Sequence, residues 1–479
     1  MIKSGIQKTE LAVIGAGPAG LEAALAAAEA GVEVVLIDRY SRPGGQYFRQ
    51  PLEASTGSLP AEAQALFQRL AGVANLRWLG DTLVWGAFPA DSAAGWLLTL
   101  AGPEGPPRLQ AETLVLATGA YDRPMAFPGW TLPGVMTDGA AQTLLKSQRV
   151  LPGRRFLLSG SGPLQLALAA QLVQAGAEVV AVLEGTTISA RTWLSHSLGL
   201  WGQGARLAEG WRYWRTLRQA KVPYRFGWAV VEACGQDEVE AAIIAQLDDH
   251  WQPLAATHQV VQVDTVLLGY GFLPATQLSR LLNCRHQLNL AAGGPIPSRD
   301  EWLQTSCAGV YAAGDGAGLG GVAVARLEGR LAGLAAARRL GRLNDAAARA
   351  AAAAVNAALK RERRFAALLG RLCTPGPGLY TLATPETPLC RCEEVRLADI
   401  QRAVQDGAQT INEVKGATRA GMGNCQGRMC GELVARAMVQ ALDRPGDLAD
   451  RLEAAGSFSV RPPLEPLPLS VLAEAADVV

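Results

Sequence analysis

Histidine is scarce. Only His196, His250, His258 and His286 occur in 479 residues, and none stands in an arrangement that reads as a catalytic acid or base; such isolated residues read as structural. Charge of one sign is missing too: 44 Lys and Arg balance 43 Asp and Glu, mixed along the chain without a long basic or acidic run. That pattern is a solvated surface and gives no support for nucleic-acid binding. Met1 to Glu10 shows no basic segment followed by a long apolar stretch, so no secretory leader is expected. Ala346 to Leu359, the most membrane-like stretch, is interrupted by Asn356 and flanked by Arg349 and Lys360, too weakly apolar to span a bilayer. A cytoplasmic location is expected. In that reducing compartment the eight cysteines read as thiols or metal ligands before disulfides.

What is present is apolar. Hydrophobic residues make up 49% and charged residues 18%, so burial is ample and disorder is excluded. The length suggests roughly two to four domains. Leu11-Ala-Val-Ile14 reads as a buried parallel strand and runs straight into Gly15-Ala-Gly-Pro18-Ala19-Gly20. A helix-forming stretch to Ala30 follows, then Gly31 and a second apolar strand ending at Asp38. Gly15 permits the tight turn, Gly17 lets backbone approach a pyrophosphate, and Gly20 allows helix and strand to pack closely. The helix N-terminus receives the phosphates, and Asp38, 23 residues beyond Gly15, is placed for an adenosine ribose. A 2′-phosphate there would be repelled, which favours FAD or NAD over NADP.

Two further features select FAD. Arg42-Pro-Gly-Gly45-Gln46 is a loop able to run close to a flavin, next to Arg39. Thr305 to Ala313 leads through an apolar strand into Gly314-Asp315-Gly316 and an Ala/Leu helix. Asp315 suits a ribityl hydroxyl, and equally suits the cap of the following helix. Leu114 to Gly119 is another strand, ending in a Thr118-Gly119 turn.

Residues 154 to 184 repeat the first unit: a strand, Gly160-Ser-Gly162-Pro-Leu-Gln165, a helix, and a strand ending at Glu184. Gln165 replaces the third glycine. It should hold helix and strand apart or demand another packing solution, so the fold is either retained scaffold or an NAD site with Glu184 on the ribose. Between Arg191 and Val230 lie Trp193, Trp201, Trp211, Trp214 and Trp228, a subunit interface or a set of core residues.

Near the C-terminus, Cys390-Arg-Cys392 and Cys425-Gln-Gly-Arg-Met-Cys430 are 32 residues apart. Glycines around the second pair can turn N–H groups toward sulfur, and Arg391, Lys415, Arg419 and Arg428 bring positive charge. Cys430 opens an apolar helix whose N-terminus favours a thiolate. Zinc accepts four thiolates but fits C-x-C spacing poorly. Disulfides conflict with the expected compartment, and a [2Fe-2S] cluster suits a chain that binds a flavin. Cys234, Cys284, Cys307 and Cys373 are scattered among apolar residues and read as structural. None forms the C-x₂-C of a flavin-linked thiol reductase.

Together these segments resemble the FAD-binding alpha (A) subunits of multi-subunit amine-oxidising flavin dehydrogenases, a family that includes D-hydroxyproline dehydrogenase, opine oxidases and hydrogen cyanide synthase. The matching residues are Gly15 to Gly20, Pro43 to Gln46, Gly160 to Pro163, Ala313 to Gly316, and the four cysteines with Gly421 to Cys430. The last segment resembles bacterioferritin-associated ferredoxin with a widened second pair, and Arg461 to Leu469 resembles the family's C-terminus. The resemblance implies an α/β fold of two dinucleotide-binding, glutathione-reductase-like domains and a small helical [2Fe-2S] domain. FAD binding would occupy residues 1–130 and 270–345, and an NAD-binding-like domain 131–269. A helical linker would cover 346–385, the cluster domain 386–450, and an extended tail 451–479. It further implies a hetero-oligomer with an FAD-containing, amino-acid-oxidase-like beta subunit that oxidises the substrate, and a small gamma subunit. FMN would lie at a subunit interface, NAD(P) would not be the partner, and the acceptor would be membrane-associated or artificial. A self-sufficient NAD(P)H-dependent reductase is the alternative; another is a cyanide-forming glycine dehydrogenase subunit.

Overall fold

The computed structural model describes residues 6–51, 59–90, 95–103, 105–187 and 203–474. The chain folds into two compact units: residues 1–120, 274–367 and 460–479 form one, and 121–273 with 368–459 the other.

The first unit is built on a seven-stranded sheet in the order Leu76–Leu79, Val34–Ile37, Gln7–Ile14, Arg108–Leu116, Trp96–Ala101, Leu83–Pro89. The first four strands run parallel, and the last two close as an antiparallel hairpin on the early half of Arg108–Leu116. The later half of that strand accepts Val310–Ala312 in parallel. Strands buried on both faces read as the continuous apolar runs seen in the sequence. Helix Pro18–Glu29 has ten of its twelve residues buried, because it is covered by the sheet and by helix Gly321–Arg339. Small residues let these helices touch: a Cβ on Gly329 would lie 2.0 Å from the Ala19 carbonyl oxygen. Leu21 and Leu25 are fully enclosed, each contributing about 1.5–3 kcal/mol by burial.

The second unit holds a five-stranded parallel sheet, Tyr224–Phe226, Glu178–Glu184, Arg155–Gly160, Thr265–Gly269 and Val135–Thr137. An antiparallel three-stranded sheet follows Trp228–Cys234, Ala241–Gln246 and Gln259–Gln262. The cysteine-bearing part of this unit is mainly helical: a short Pro388–Cys390/Val395–Arg396 ladder, then helices Leu397–Gln405, Ile411–Thr418, Gly431–Leu442 and Leu448–Ala455. Thr410 and Glu413 form a reciprocal capping box that starts the second of these.

Of the segment expected as an extended tail, residues 451–474 are described: 451–455 finish helix Leu448–Ala455, Leu469–Glu474 is helical, and the stretch between is irregular. Asp447 caps the first of these helices by accepting the Asp450 N–H at 2.9 Å. Among the described residues no helix is long and apolar enough to cross a membrane.

Candidate functional site

In the first unit the glycines act as the sequence requires. Gly15 has φ +100°, and a Cβ there would stand 2.3 Å from the Ala117 oxygen; a Cβ on Gly20 would overlap the Gly15 oxygen at 1.7 Å. Gly17 is different. A Cβ there would meet only the Gly45 Cα, at 3.9 Å, while one on Gly45 would stand 2.7 Å from the Gly17 Cα, so the two backbones pass close beside the N-terminus of Pro18–Glu29. The Gly44 N–H donates to the Ala16 carbonyl at 2.8 Å, tying the Pro43–Gln46 loop to this turn. Asp38 accepts from the N–H groups of Ala16 (2.6 Å) and Tyr40 (2.9 Å). Burial raises its carboxyl, and those two N–H groups oppose the rise.

The other two turns reach the same place. The Thr118 hydroxyl donates to the Ala275 carbonyl at 2.7 Å. A Cβ on Gly316 would lie 2.6 Å from that hydroxyl oxygen, and one on Gly314 2.9 Å from the Ala19 Cβ. Gly119, with φ +72°, faces open space. Asp315 accepts from Gly320 N–H (2.9 Å) and Gly321 N–H (3.1 Å), both through Oδ1; it is therefore a cap of helix Gly321–Arg339. Arg39 holds Glu465 bidentately at 2.9 Å through both oxygens, and Gln46 accepts from Arg49.

Sequence reasoning missed Glu328. It is buried and accepts from Arg299 (2.8 and 3.4 Å), Arg363 (2.7 Å) and the Gly314 N–H (3.0 Å). Burial would raise its carboxyl, but the two guanidinium groups outweigh this and hold it below the ordinary value. Arg299 also donates to the Ala312 carbonyl, so an ion triad fixes the turn that carries Asp315. The only signal was a lone acid in helix Gly321–Arg339, whose other charged residues are all arginines.

The second nucleotide-like fold departs from the first at three points. Gln165 is buried, and Gly269 on the neighbouring strand leaves room for it and for Asp138: a Cβ there would stand 3.0 Å from the Gln165 Cγ and 2.0 Å from the Asp138 Oδ2. The small residue has moved from helix to strand, where the first unit has Ala117. The amide atoms of Gln165 and both oxygens of the fully buried Asp138 have no hydrogen-bond partner among the described residues, and burial pushes the Asp138 carboxyl far up. Gly162, the counterpart of Gly17, is covered by Cys373, whose Sγ lies 3.4 Å from where a Cβ would be. Glu184 accepts from the Gly162 N–H (3.1 Å) and the Thr186 N–H (3.2 Å), as Asp38 does from its two N–H groups, and in addition from the Tyr224 hydroxyl (3.3 Å).

The four cysteines gather in the second unit. Cys430 is within hydrogen-bond reach of Cys390 and Cys425, and Cys392 of Cys425. The Cys430 thiol, with N–H groups of Gly421 and Glu393, holds Cys390 down at about 6. Cys430, with Met429 and Gly427 N–H groups, holds Cys425 at about 5. Burial and their roles as donors raise Cys392 and Cys430 respectively. Among the described residues no three His, Cys, Asp or Glu side chains close around a single metal ion. The sulfurs form an open chain of contacts with backbone N–H groups aimed at them, a donor set that fits a thiolate-bound cluster. Glycines make the loop tight: a Cβ on Gly423 would meet the Cys392 Cβ at 2.3 Å, and one on Gly427 the Phe458 ring at 2.5 Å.

The tryptophan and histidine expectations resolve partly. Trp193, Trp201 and His196 lie outside the described residues. Trp214 packs edge-on against Tyr224 at 5.4 Å, while Trp211 is 69% exposed. His286 is fixed between Ser279 and the Cys284 carbonyl, and burial lowers it to about 4, a neutral structural group.

Comparison with known proteins assigns these parts. Residues 9–351 match the pyridine nucleotide-disulphide oxidoreductase family, and 388–439 the BFD-like [2Fe-2S] binding domain. The HcnB subunit of hydrogen cyanide synthase from Pseudomonas aeruginosa is 35% identical over 96% of this chain and 97% of its own. The A-type subunit of opine oxidase from Rhizobium meliloti is 37% identical over 98% of each, and that from Agrobacterium tumefaciens 34% over 97% and 91%. L-proline dehydrogenase from P. horikoshii superposes with a TM-score of 0.69 over 98% of this chain and 81% of its own, at 19% identity, and so shares the fold. The chain therefore belongs to the pyridine nucleotide-disulphide oxidoreductases, alongside HcnB and the A-type subunits of opine oxidases, and is an oxidoreductase that binds FAD and a [2Fe-2S] cluster.

Proposed function

We propose that this chain is the electron-transferring alpha subunit of a hetero-oligomeric dehydrogenase that oxidises an imino acid or opine (D-hydroxyproline, proline, octopine or nopaline type), the substrate being oxidised on a partner FAD subunit. The observation that carries this reading is the contrast between the two nucleotide folds. A Cβ on Gly17 would meet only the Gly45 Cα, at 3.9 Å, whereas one on Gly162 would touch Cys373 at 3.4 Å, and Glu184 takes the Tyr224 hydroxyl in addition to two N–H groups such as Asp38 also accepts. In this reading the first fold takes the dinucleotide and the electrons come from elsewhere than a nicotinamide.

In this reading Gly15, Gly17, Pro18, Ala19, Gly20 and Gly45 form the pyrophosphate cradle, where the helix N-terminus offers N–H groups and positive dipole. Asp38 holds the adenosine ribose, with Arg39 and Gln46 beside it, and Thr118, Gly119 and Gly314 shape the floor. Asp315 caps its helix through Oδ1 and keeps Oδ2 for a ribityl hydroxyl. Cys390, Cys392, Cys425 and Cys430 hold the cluster. FAD, when bound, accepts electron pairs and exchanges single electrons, which is what an iron–sulfur partner requires. An FMN at the interface with the partner subunit, and a cytoplasmic location, belong to the same proposal. A cyanide-forming glycine dehydrogenase subunit is the second reading, on the strength of the HcnB identity.

Stopped-flow mixing with NADH or NADPH tests the main point. The flavin absorbance is expected to persist for minutes; bleaching within seconds would establish a self-sufficient reductase instead. Substrate screening of the complex co-purified from its native source separates opines and imino acids from glycine.

A further inference from the structure

Eleven residues, Tyr121 to Thr131, follow the Thr118-Gly119 turn and touch the cysteine-bearing region at points flanking both cysteine pairs. The Arg428 Nε donates to the Tyr121 hydroxyl at 2.9 Å, and the guanidinium lies 5.6 Å from the Tyr121 ring centroid. Arg428 sits between Cys425 and Cys430, and its Nη1 also donates to the Cys425 carbonyl at 3.2 Å. Arg123 donates to Glu432, two residues past Cys430, at 2.9 Å and to the Tyr380 hydroxyl at 3.0 Å. Arg436 completes this buried group, 3.0 Å from Glu432 and stacked 3.8 Å from the Tyr380 ring centroid. On the other pair, the Trp130 Nε1 donates to the Pro388 carbonyl at 2.7 Å, and Arg391 donates to the Thr131 carbonyl at 3.3 Å.

The burial shows that these are built contacts. Arg123 and Trp130 are each only 4% exposed. A buried guanidinium is tolerated only when its counter-charge is held in place, so Arg123 commits Glu432, and with it the first turn of Gly431–Leu442. That turn follows directly on Cys430. A planar guanidinium with two fixed acceptors is likewise held more rigidly than a lysine ammonium would be.

We propose that Tyr121, Arg123 and Trp130 form a cradle that positions the iron–sulfur cluster, and that Tyr121 holds the Arg428 charge where it raises the cluster's reduction potential. The inference rests on the cysteine ligand set proposed above. Cluster potentials respond to nearby charge and to hydrogen bonding around the sulfurs. A fixed positive charge favours the more negative, reduced cluster. Tyr121 and Arg428 are positioning residues; neither is expected to touch iron.

The test uses the full chain with its cluster, measuring iron per chain and the midpoint potential by titration followed with electron paramagnetic resonance. Arg428→Gln keeps donors but removes the charge, and is expected to leave iron complete while making reduction about tenfold less favourable, about 59 mV for one electron. Arg428→Lys should recover most of that shift. Tyr121→Phe, which deletes one hydroxyl and remains informative if Arg428→Gln loses its cluster, should shift the potential in the same direction by several-fold. Full iron with unmoved potentials in Arg428→Gln and Tyr121→Phe would overturn the cradle alone. A native chain without iron would overturn the ligand assignment and the cradle together.

Discussion

Glu328→Gln offers a test of how the flavin-side turn is held. The carboxylate accepts from Arg299 at 2.8 and 3.4 Å, from Arg363 at 2.7 Å and from the Gly314 N–H at 3.0 Å, with its side chain 3% exposed. Charge-assisted bonds contribute about 1.5–3 kcal/mol each and neutral ones about 0.5–1.5. Arg363 is 47% exposed, so water screens its share. Glutamine preserves shape and one acceptor, and the expected loss is about 2–3 kcal/mol, below the roughly 3–5 kcal/mol for breaking a buried pair outright. For a unit of this size that corresponds to a fall of about 4–10 °C in the temperature of flavin release, read by flavin fluorescence on heating. The pH dependence has a fixed sign. The native carboxyl is held below its ordinary value of 4.5, so its contribution is complete above 4.5 and disappears as pH falls through the lower native value. The gap between wild type and Glu328→Gln should be full at pH 7 and narrow below pH 4.5. A release temperature within 1–2 °C of wild type at pH 7, or a gap independent of pH, would refute the reasoning.

Two further outcomes follow from the site. Cys425→Ser should lower bound iron while FAD occupancy stays as in the wild type; unchanged iron would remove Cys425 from the ligand set. Asp38→Ala should weaken FAD about 10- to 100-fold, the equivalent of charge-assisted bonds to a ribose, measured by equilibrium titration of the apoprotein. An unaltered affinity would leave Asp38 as a brace for the Ala16 and Tyr40 N–H groups only.

The first dinucleotide fold was legible because its determinants are local. A strand, three glycines, a helix and an acid within thirty residues specify one geometry, and Gly15, Gly20 and Gly17 sit as that geometry demands. The cysteine motif was legible for the same reason: ligands must be Cys, and their spacing is read directly. Gln165 is a visible departure from the glycine pattern, yet the small residue that leaves room for it lies 104 residues away at Gly269, where no local pattern points.

By itself, then, the sequence determined two nucleotide-type folds, a four-thiol domain and the family that joins them, since each is written in short-range spacing. Tertiary structure decided what lies against the second glycine turn. Cys373, on a helix far along the chain, covers Gly162, and Tyr224 with two backbone N–H groups takes up Glu184. Tertiary structure also brought Glu328 to the Gly314 N–H beside Asp315, and Tyr121, Arg123 and Trp130 to Arg428, Glu432 and Pro388. These are contacts between residues up to 309 positions apart, and a buried charge finds its partner by packing, which periodicity and motif do not encode.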